Sequence, residues 1–207
     1  MKNEANKLEV YIIRHGTTDK AMGNQLVSAV RDFPLNAEGI KQTEALRKRF
    51  SREGYHFDRI YSSPIRVAQE TAGRIFGERG YVIEPRLTKV NHGDWEYKKK
   101  DDVYTEKVRR ALEADPYNWH APNGESQASI EERMYSFLEE IRKGMRIGKV
   151  AAISNGIPTI SLLRKCLGVN SKDIQNMELA NTSLTRIDYD SGGWKVVKVN
   201  DNEHLLD

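Results

Sequence analysis

Short apolar runs alternate with long amphipathic stretches along the chain. Leu8-Glu9-Val10-Tyr11-Ile12-Ile13 reads as a strand and ends at Arg14-His15-Gly16. Residues 17–34 are polar and irregular, which predicts a long loop, and a loop of that length in a compact domain commonly carries function. Ala37–Arg52 turns Ile40, Ala45, Leu46 and Phe50 inward and stops at Gly54, the pattern of an amphipathic helix. Arg59-Ile60-Tyr61 predicts a short strand. Ser62-Ser63-Pro64 then offers N-cap chemistry and a first-turn proline to a helix running to about Phe76. Tyr81–Glu84 predicts another short strand, Val150–Ser154 a buried strand, and Ile157–Leu167 a helix ended by Gly168. Thr182–Tyr189 and Trp194–Val199, joined by Ser191-Gly192-Gly193, predict a closing hairpin.

Strands alternating with helices predict an α/β fold in three layers, a largely parallel sheet flanked by helices. The stretch from 92 to 147 has no strand pattern. Lys98-Lys99-Lys100-Asp101-Asp102 reads as a solvated helix start, followed by an amphipathic run to Ala114 and then Pro116, Pro122 and Gly124. A long helix from about Ser126 to Lys143 carries Ile130, Met134, Phe137, Leu138 and Ile141 on one face. The whole chain, 1–207, is expected to be a single domain, with a helical cap insertion at about 92–125 over one edge of the sheet.

Composition narrows the function classes. A chain of 207 residues can bury a core without disulfides or metals. Its net charge of +3 is too balanced to argue for nucleic acid as a partner. The single cysteine, Cys166, excludes an internal disulfide and is expected to be a small buried hydrophobe. No apolar run approaches the roughly 18 residues of a membrane span, so no membrane partner is expected. Met1–Lys7 is polar with no apolar stretch behind it, and a cytoplasmic protein is the expectation. Oligomeric state is left open.

Three predicted strands end in chemistry. Arg14-His15-Gly16 closes the first, Ser62-Ser63 the second with Arg66 in the helix that follows, and Ser154-Asn155-Gly156 the third. Ligands of parallel sheets bind at the carboxyl ends of strands. Two guanidinium forks and the free N–H groups of helix N-termini would together suit one anion. A neutral histidine between them, with one ring nitrogen held by a carbonyl, can attack phosphorus.

These residues also stand in a recognisable order. The chain resembles the histidine phosphatase superfamily, the phosphoglycerate-mutase-like proteins, and is similar above all to its small phosphatases. Val10–Gly16 (VYIIRHG) resembles the nucleophile strand. Pro34–Gln42 resembles the start of the family's first helix, and Ile60–Thr71 (IYSSPIRVAQET) its second phosphate-arginine segment. Gly93–Glu96 resembles its G-x-W-E-G turn and Gly124–Ser126 its G-E-S step. Val199-Asn200-Asp201 with His204-Leu205 resembles its tail.

The resemblance implies that His15 is the phosphorylated nucleophile and that Arg14 and Arg66 grip the phosphoryl group, with Gly16, Thr18 and Asn155 completing the binding set. It also shows departures. The family's second histidine falls where this chain has Ser154-Asn155-Gly156, its usual acid glutamate at Lys89, and its usual phosphate-contacting asparagine at Ala21. Lys89 is the candidate proton donor, with His92 and His120 as possible stand-ins. Tyr104, Tyr117 and Trp119 are candidates to line the substrate pocket or to pack in the core.

The expected activity is hydrolysis of a small phosphate monoester, attenuated if nothing replaces the acid, with no metal or other cofactor. A catalytically silent phospho-ligand-binding protein is the alternative. A phosphoglycerate mutase is a third reading, set lower because mutases of the family usually have a longer chain.

Overall fold

A computed structural model of the chain describes residues 7–19, 26, 33–174 and 176–206. Ala21 and most of the 17–34 loop lie outside the described residues.

The six strands are β1 (Leu8–Arg14), β2 (Arg59–Ser62), β3 (Val82–Ile83), β4 (Gly148–Ser154), β5 (Leu184–Asp190) and β6 (Gly193–Asp201). They form one sheet in the order β3-β2-β4-β1-β5-β6. β1 pairs with β4, and β2 with β4 and β3, all in parallel, while β5 and β6 close the sheet antiparallel. The helices are α1 (Ala37–Arg52), α2 (Arg66–Phe76), α3 (Lys100–Val103), α4 (Glu106–Ala114), α5 (Gln127–Gly144), α6 (Gly156–Leu167) and α7 (Ser171–Ile174).

Alternation along β1 explains the three layers, because successive side chains leave a strand on opposite faces. Tyr11 and Ile13 join Leu46 and Phe50 of α1 and Ala68 and Ile75 of α2 in one core cluster. Val10 and Ile12 join Met134, Phe137 and Leu138 of α5 and Leu162 of α6 in the other. Both faces of β1 and β4 are covered, so these strands read as unbroken apolar runs rather than as alternating ones.

Some local details differ from expectation. α2 starts at Arg66, behind Ile65, and no side chain caps it. Ser63 instead extends the sheet, its N–H donating to Ile153 O at 2.9 Å, and the residue before a proline is steered away from helix. Serine capping does occur at α5, where Ser126 accepts from Ser129 N at 3.1 Å. β3 is only two residues long. The closing strands run further than expected, β6 to Asp201.

Between β3 and α5 the described residues form a 3₁₀ turn at Gly93–Trp95 and the helices α3 and α4, with Lys98–Lys100 exposed. Cys166 is half-buried beside the α5–α6 cluster, and burial pushes its thiol up to about 12. Among the described residues no helix is long and apolar enough to cross a membrane.

Candidate active site

Strand register brings the chemistry to one edge. Arg14 pairs with Ser154, and Ser62 with Ile153, so β1, β2 and β4 end level. The backbone then ties the ends together, with His15 N donating to Ser154 O at 3.0 Å.

His15 is held by its own turn. Its Nδ1 lies 2.8 Å from Gly16 O, and a carbonyl can only accept. Nδ1 therefore carries the proton and Nε2 keeps a lone pair. Burial, with the charges of Arg14 and Lys89 adding to it, pushes the imidazole down to about 4, against the opposing pull of the Gly16 carbonyl. At neutral pH this histidine is uncharged, the state a nucleophile needs.

Gly16 is glycine because of what surrounds it. A Cβ there would lie 2.6 Å from Leu35 Cδ2 and 3.1 Å from Gly39 O. Its N–H donates to Thr71 Oγ1 at 3.1 Å, and the Thr71 hydroxyl donates to Val67 O at 2.7 Å. Gly16 was expected among the substrate ligands. With its N–H and its carbonyl both committed, it positions His15 from α2 instead. Thr18 was expected there too; its recorded contact is a backbone bridge with Leu35.

Arg14 is partly buried beside Gly156, and its Nη1 donates to Leu179 O. Its Nε is buried with no hydrogen-bond partner among the described residues. Burial lowers its affinity for its proton, and the carboxylate of Glu178 works against that. A buried guanidinium with an open donor suits an anion.

Lys89 is the second cation whose charge reaches His15. Burial holds its ammonium below the ordinary lysine range, Glu96 opposes this, and Arg14 reinforces it. Burial likewise lowers His92, again opposed by Glu96 and reinforced by Lys89 and Lys100. Arg14, His15, Lys89 and His92 thus form one chain of electrostatic neighbours.

Asn155 joins them through Leu87. Its Nδ2 donates to Leu87 O at 3.3 Å, an oxygen that also accepts from Ser154 Oγ at 2.9 Å. Asn155 is 3% exposed and its Oδ1 has no hydrogen-bond partner among the described residues. The expected role was donation to a phosphoryl oxygen. The observed orientation commits one amide hydrogen to Leu87 O and leaves the second N–H and Oδ1 for a ligand.

Arg66 stands at the start of α2, more exposed than the others. Its Nε donates to Glu70 Oε1 at 2.7 Å, and Glu70 Oε2 accepts from Leu35 N at 2.8 Å. Through Glu70 the contact links Arg66 to Leu35, whose side chain packs against Gly16.

Sequence reasoning missed Glu96 and Glu178, the carboxylates beside Lys89 and Arg14, and also Asn181, whose Nδ2 donates to His15 O at 2.8 Å. It quoted Glu96 only within the G-x-W-E-G turn, and no spacing pointed to the other two.

A cavity of about 440 Å³ adjoins these residues, bordered by Val90 and His92 next to Lys89 and by Ile157 next to Gly156. Tyr104, Trp119 and His120 line it as well. Tyr117 does not: its hydroxyl donates to Glu131 at 2.9 Å and Arg164 covers its ring. Among the described residues no group of three or more His, Cys, Asp or Glu side chains could hold a metal ion.

Comparison with known proteins follows the same lines. A protein of Yersinia pestis named probable phosphoglycerate mutase GpmB is 28% identical over 207 residues, covering 96% of this chain and 95% of its own length. Chain length therefore does not separate a mutase reading from a phosphatase one. A phosphoserine phosphatase variant of Entamoeba histolytica, solved with phosphoserine, has a TM-score of 0.84 at 22% identity, covering 96% of this chain and 100% of that one. YhfR of Bacillus stearothermophilus has a TM-score of 0.82 at 23% identity, covering 96% and 99%. These structural likenesses carry the fold. The profile of the histidine phosphatase superfamily, branch 1, matches residues 10–202. That span takes in the whole sheet except the first two residues of β1, and the chain belongs to this superfamily.

Proposed function

We propose that the protein hydrolyses phosphate monoesters through a phosphohistidine on His15. The observation that carries this reading is the bond from His15 Nδ1 to Gly16 O at 2.8 Å, which leaves Nε2 bare in a ring that burial keeps neutral. Arg14 Nε and Lys89 supply positive charge for the phosphoryl oxygens, with Arg66 closing on them from the rim.

The Nε2 lone pair attacks phosphorus. An N–P bond forms as the ester P–O bond breaks, and the bonding pair leaves on the ester oxygen. That oxygen takes a proton from the Lys89 ammonium and departs as the alcohol. Water then attacks phosphorus and returns a proton to the Lys89 amine. The N–P pair goes back to Nε2 and phosphate leaves. The charges in this scheme come from side chains, and no cofactor takes part in it.

The test is a phosphatase assay in chelator over a panel of phosphate esters, with His15→Ala as the blank and acid-labile phosphohistidine sought by mass spectrometry. Turnover that survives in His15→Ala would overturn the reading.

One observation favours a second reading, a binding protein with little turnover. Asn155 commits one amide hydrogen to Leu87 O, and its Oδ1 has no hydrogen-bond partner among the described residues, where a donor to phosphate was expected. Phosphate binding by the wild-type protein without release of alcohol would select it.

A further inference from the structure

The cavity beside Lys89 has walls of a particular character. Its 440 Å³ or so is within the range of roughly 300–1,000 Å³ typical of small-molecule sites. Trp95 anchors an aromatic wall, its ring 5.4 Å from Tyr104 and 5.2 Å from Trp119. α6 contributes Ile157 and Ile160. Ile157 is 50% exposed, a large apolar side chain left to water two residues after Asn155. A ligand lying against it would remove that exposure.

The charges are equally particular. Among the described residues no lysine or arginine lines the cavity. Its one carboxylate, Glu125, is taken by Arg133 at 2.8 Å and by Asn91 N at 3.0 Å. A carboxylate of the leaving group that reaches into the cavity, away from Lys89 and Arg14, meets neither lysine nor arginine on the described walls. A leaving group carrying an ammonium would meet the charges of Lys89 and Arg14, and the one carboxylate among the described lining residues is already paired. His120 Nδ1 contacts Ala121 O at 2.9 Å, so its Nε2 is an acceptor for a neutral donor.

We infer that, on the phosphatase reading above, the substrate is a phosphate monoester of an uncharged aromatic alcohol whose ring system seats between Trp95, Tyr104, Trp119 and Ile157. The leaving-group chemistry points the same way. An aryl oxide is a far better leaving group than an alkoxide and needs less of a proton as the P–O bond breaks. The ammonium of Lys89 is a weaker acid than a carboxylic acid, and that weakness costs least with an aryl ester.

The experiment measures kcat/KM for 1-naphthyl phosphate, phenyl phosphate, 3-phosphoglycerate and phosphocholine, with the wild type and two variants. The two aryl esters have leaving groups of similar acidity, so their ratio reads the cavity rather than the chemistry. Naphthyl phosphate should exceed phenyl phosphate by about tenfold or more, the scale of discrimination an apolar pocket gives. Trp119→Ala removes a wall and Leu112→Trp fills the space, and each should bring that ratio towards one. A wild-type ratio near one, or preference for 3-phosphoglycerate or phosphocholine, would overturn the inference. If no ester is turned over above the His15→Ala blank, the phosphatase reading falls instead. Calorimetric binding of the same two aryl phosphates then decides the inference, and equal affinities would overturn it.

Discussion

His204 Nε2 lies 2.9 Å from Thr182 Oγ1, and Thr182 in turn donates its backbone N–H to Arg14 O at 2.9 Å. The Thr182 hydroxyl already donates to Asn181 O at 2.7 Å, so it can only accept from the histidine. Nε2 therefore carries the proton and Nδ1 is bare. Thr182 has φ of 58°, a left-handed conformation that a β-branched residue adopts only when its surroundings impose it. His204 is part of those surroundings, and through Thr182 it steadies the carbonyl immediately before the nucleophile. His204→Ala should cost about 2–3 kcal/mol, from a lost buried hydrogen bond and the cavity left behind. Urea denaturation measures it.

Stability should fall in mild acid. Burial pushes both His15 and His204 down to about 4, while in the unfolded chain each titrates near 6.5. Between those values the unfolded state binds protons that the native state refuses. The stability present above pH 6.5 is thus lost as pH falls towards 4. Asp201 adds a second, lower window. Burial would raise its carboxyl, but Arg49 at 2.8 Å, Lys198 and Glu203 N outweigh that and hold it well below the usual range. Its contribution is lost as pH falls below the ordinary aspartate value. A series of thermal melts from pH 7 to 3 should show the first decline beginning near pH 6.5. His204→Gln should flatten part of it.

The same assignment shapes the rate profile. If His15 attacks as the neutral ring, kcat should hold down to about pH 4 instead of failing near 6.5. The alkaline limb should fall below the ordinary lysine range, because burial lowers Lys89. Using kcat rather than kcat/KM leaves out the ionisation of the free substrate. An acid limb at 6.5 would show that the nucleophile is not held neutral by its surroundings.

Arg66 and Glu70 offer a separable test of anion binding. Glu70 is lowered because Leu35 N and Arg66 outweigh the effect of burial, and its carboxylate bridges Arg66 Nε at 2.7 Å and Leu35 N at 2.8 Å. Arg66→Ala should weaken calorimetric binding of inorganic phosphate by about 10- to 100-fold, the scale of one or two charge-assisted hydrogen bonds. Glu70→Gln should weaken it less, since the guanidinium charge remains.

The layers were legible because β1 and β4 are buried on both faces and the pattern of α5 is long and strict. Arg14-His15-Gly16 was legible because strand-end chemistry is local. Asn181 was not, because nothing in sequence places it against a carbonyl 166 residues away. The α2 cap was misread because Ser63 could serve either helix or sheet, and its bond to Ile153 O decided for the sheet. β3 was overextended because its two residues, Val82 and Ile83, are exposed at the sheet edge, where burial enforces no pattern.

Lys89 is where an exchange of charge should change the chemistry most. In Lys89→Glu the new carboxyl would sit in a buried setting beside Glu96, and burial and the like charge would raise its pKa against the opposing pull of Arg14. To the extent that it is raised it carries a proton for the leaving group, and as a carboxylic acid it is a stronger acid than the ammonium it replaces. An alkoxide leaving group needs that proton and an aryl oxide hardly does, so kcat should rise for alkyl phosphates and change little for aryl ones. The ratio of alkyl to aryl kcat should increase by about 10- to 1,000-fold, part or all of a general-acid contribution. KM should rise for both, because one of the cations beside His15 is gone. Adding Asn155→His should raise both rates, by placing an imidazole N–H where the amide nitrogen is partly committed to Leu87 O. Paired measurements on one alkyl and one aryl ester decide the matter. If the wild type already hydrolyses the alkyl ester efficiently and Lys89→Glu lowers that rate, then Lys89 or a cap histidine is a fully competent acid in place.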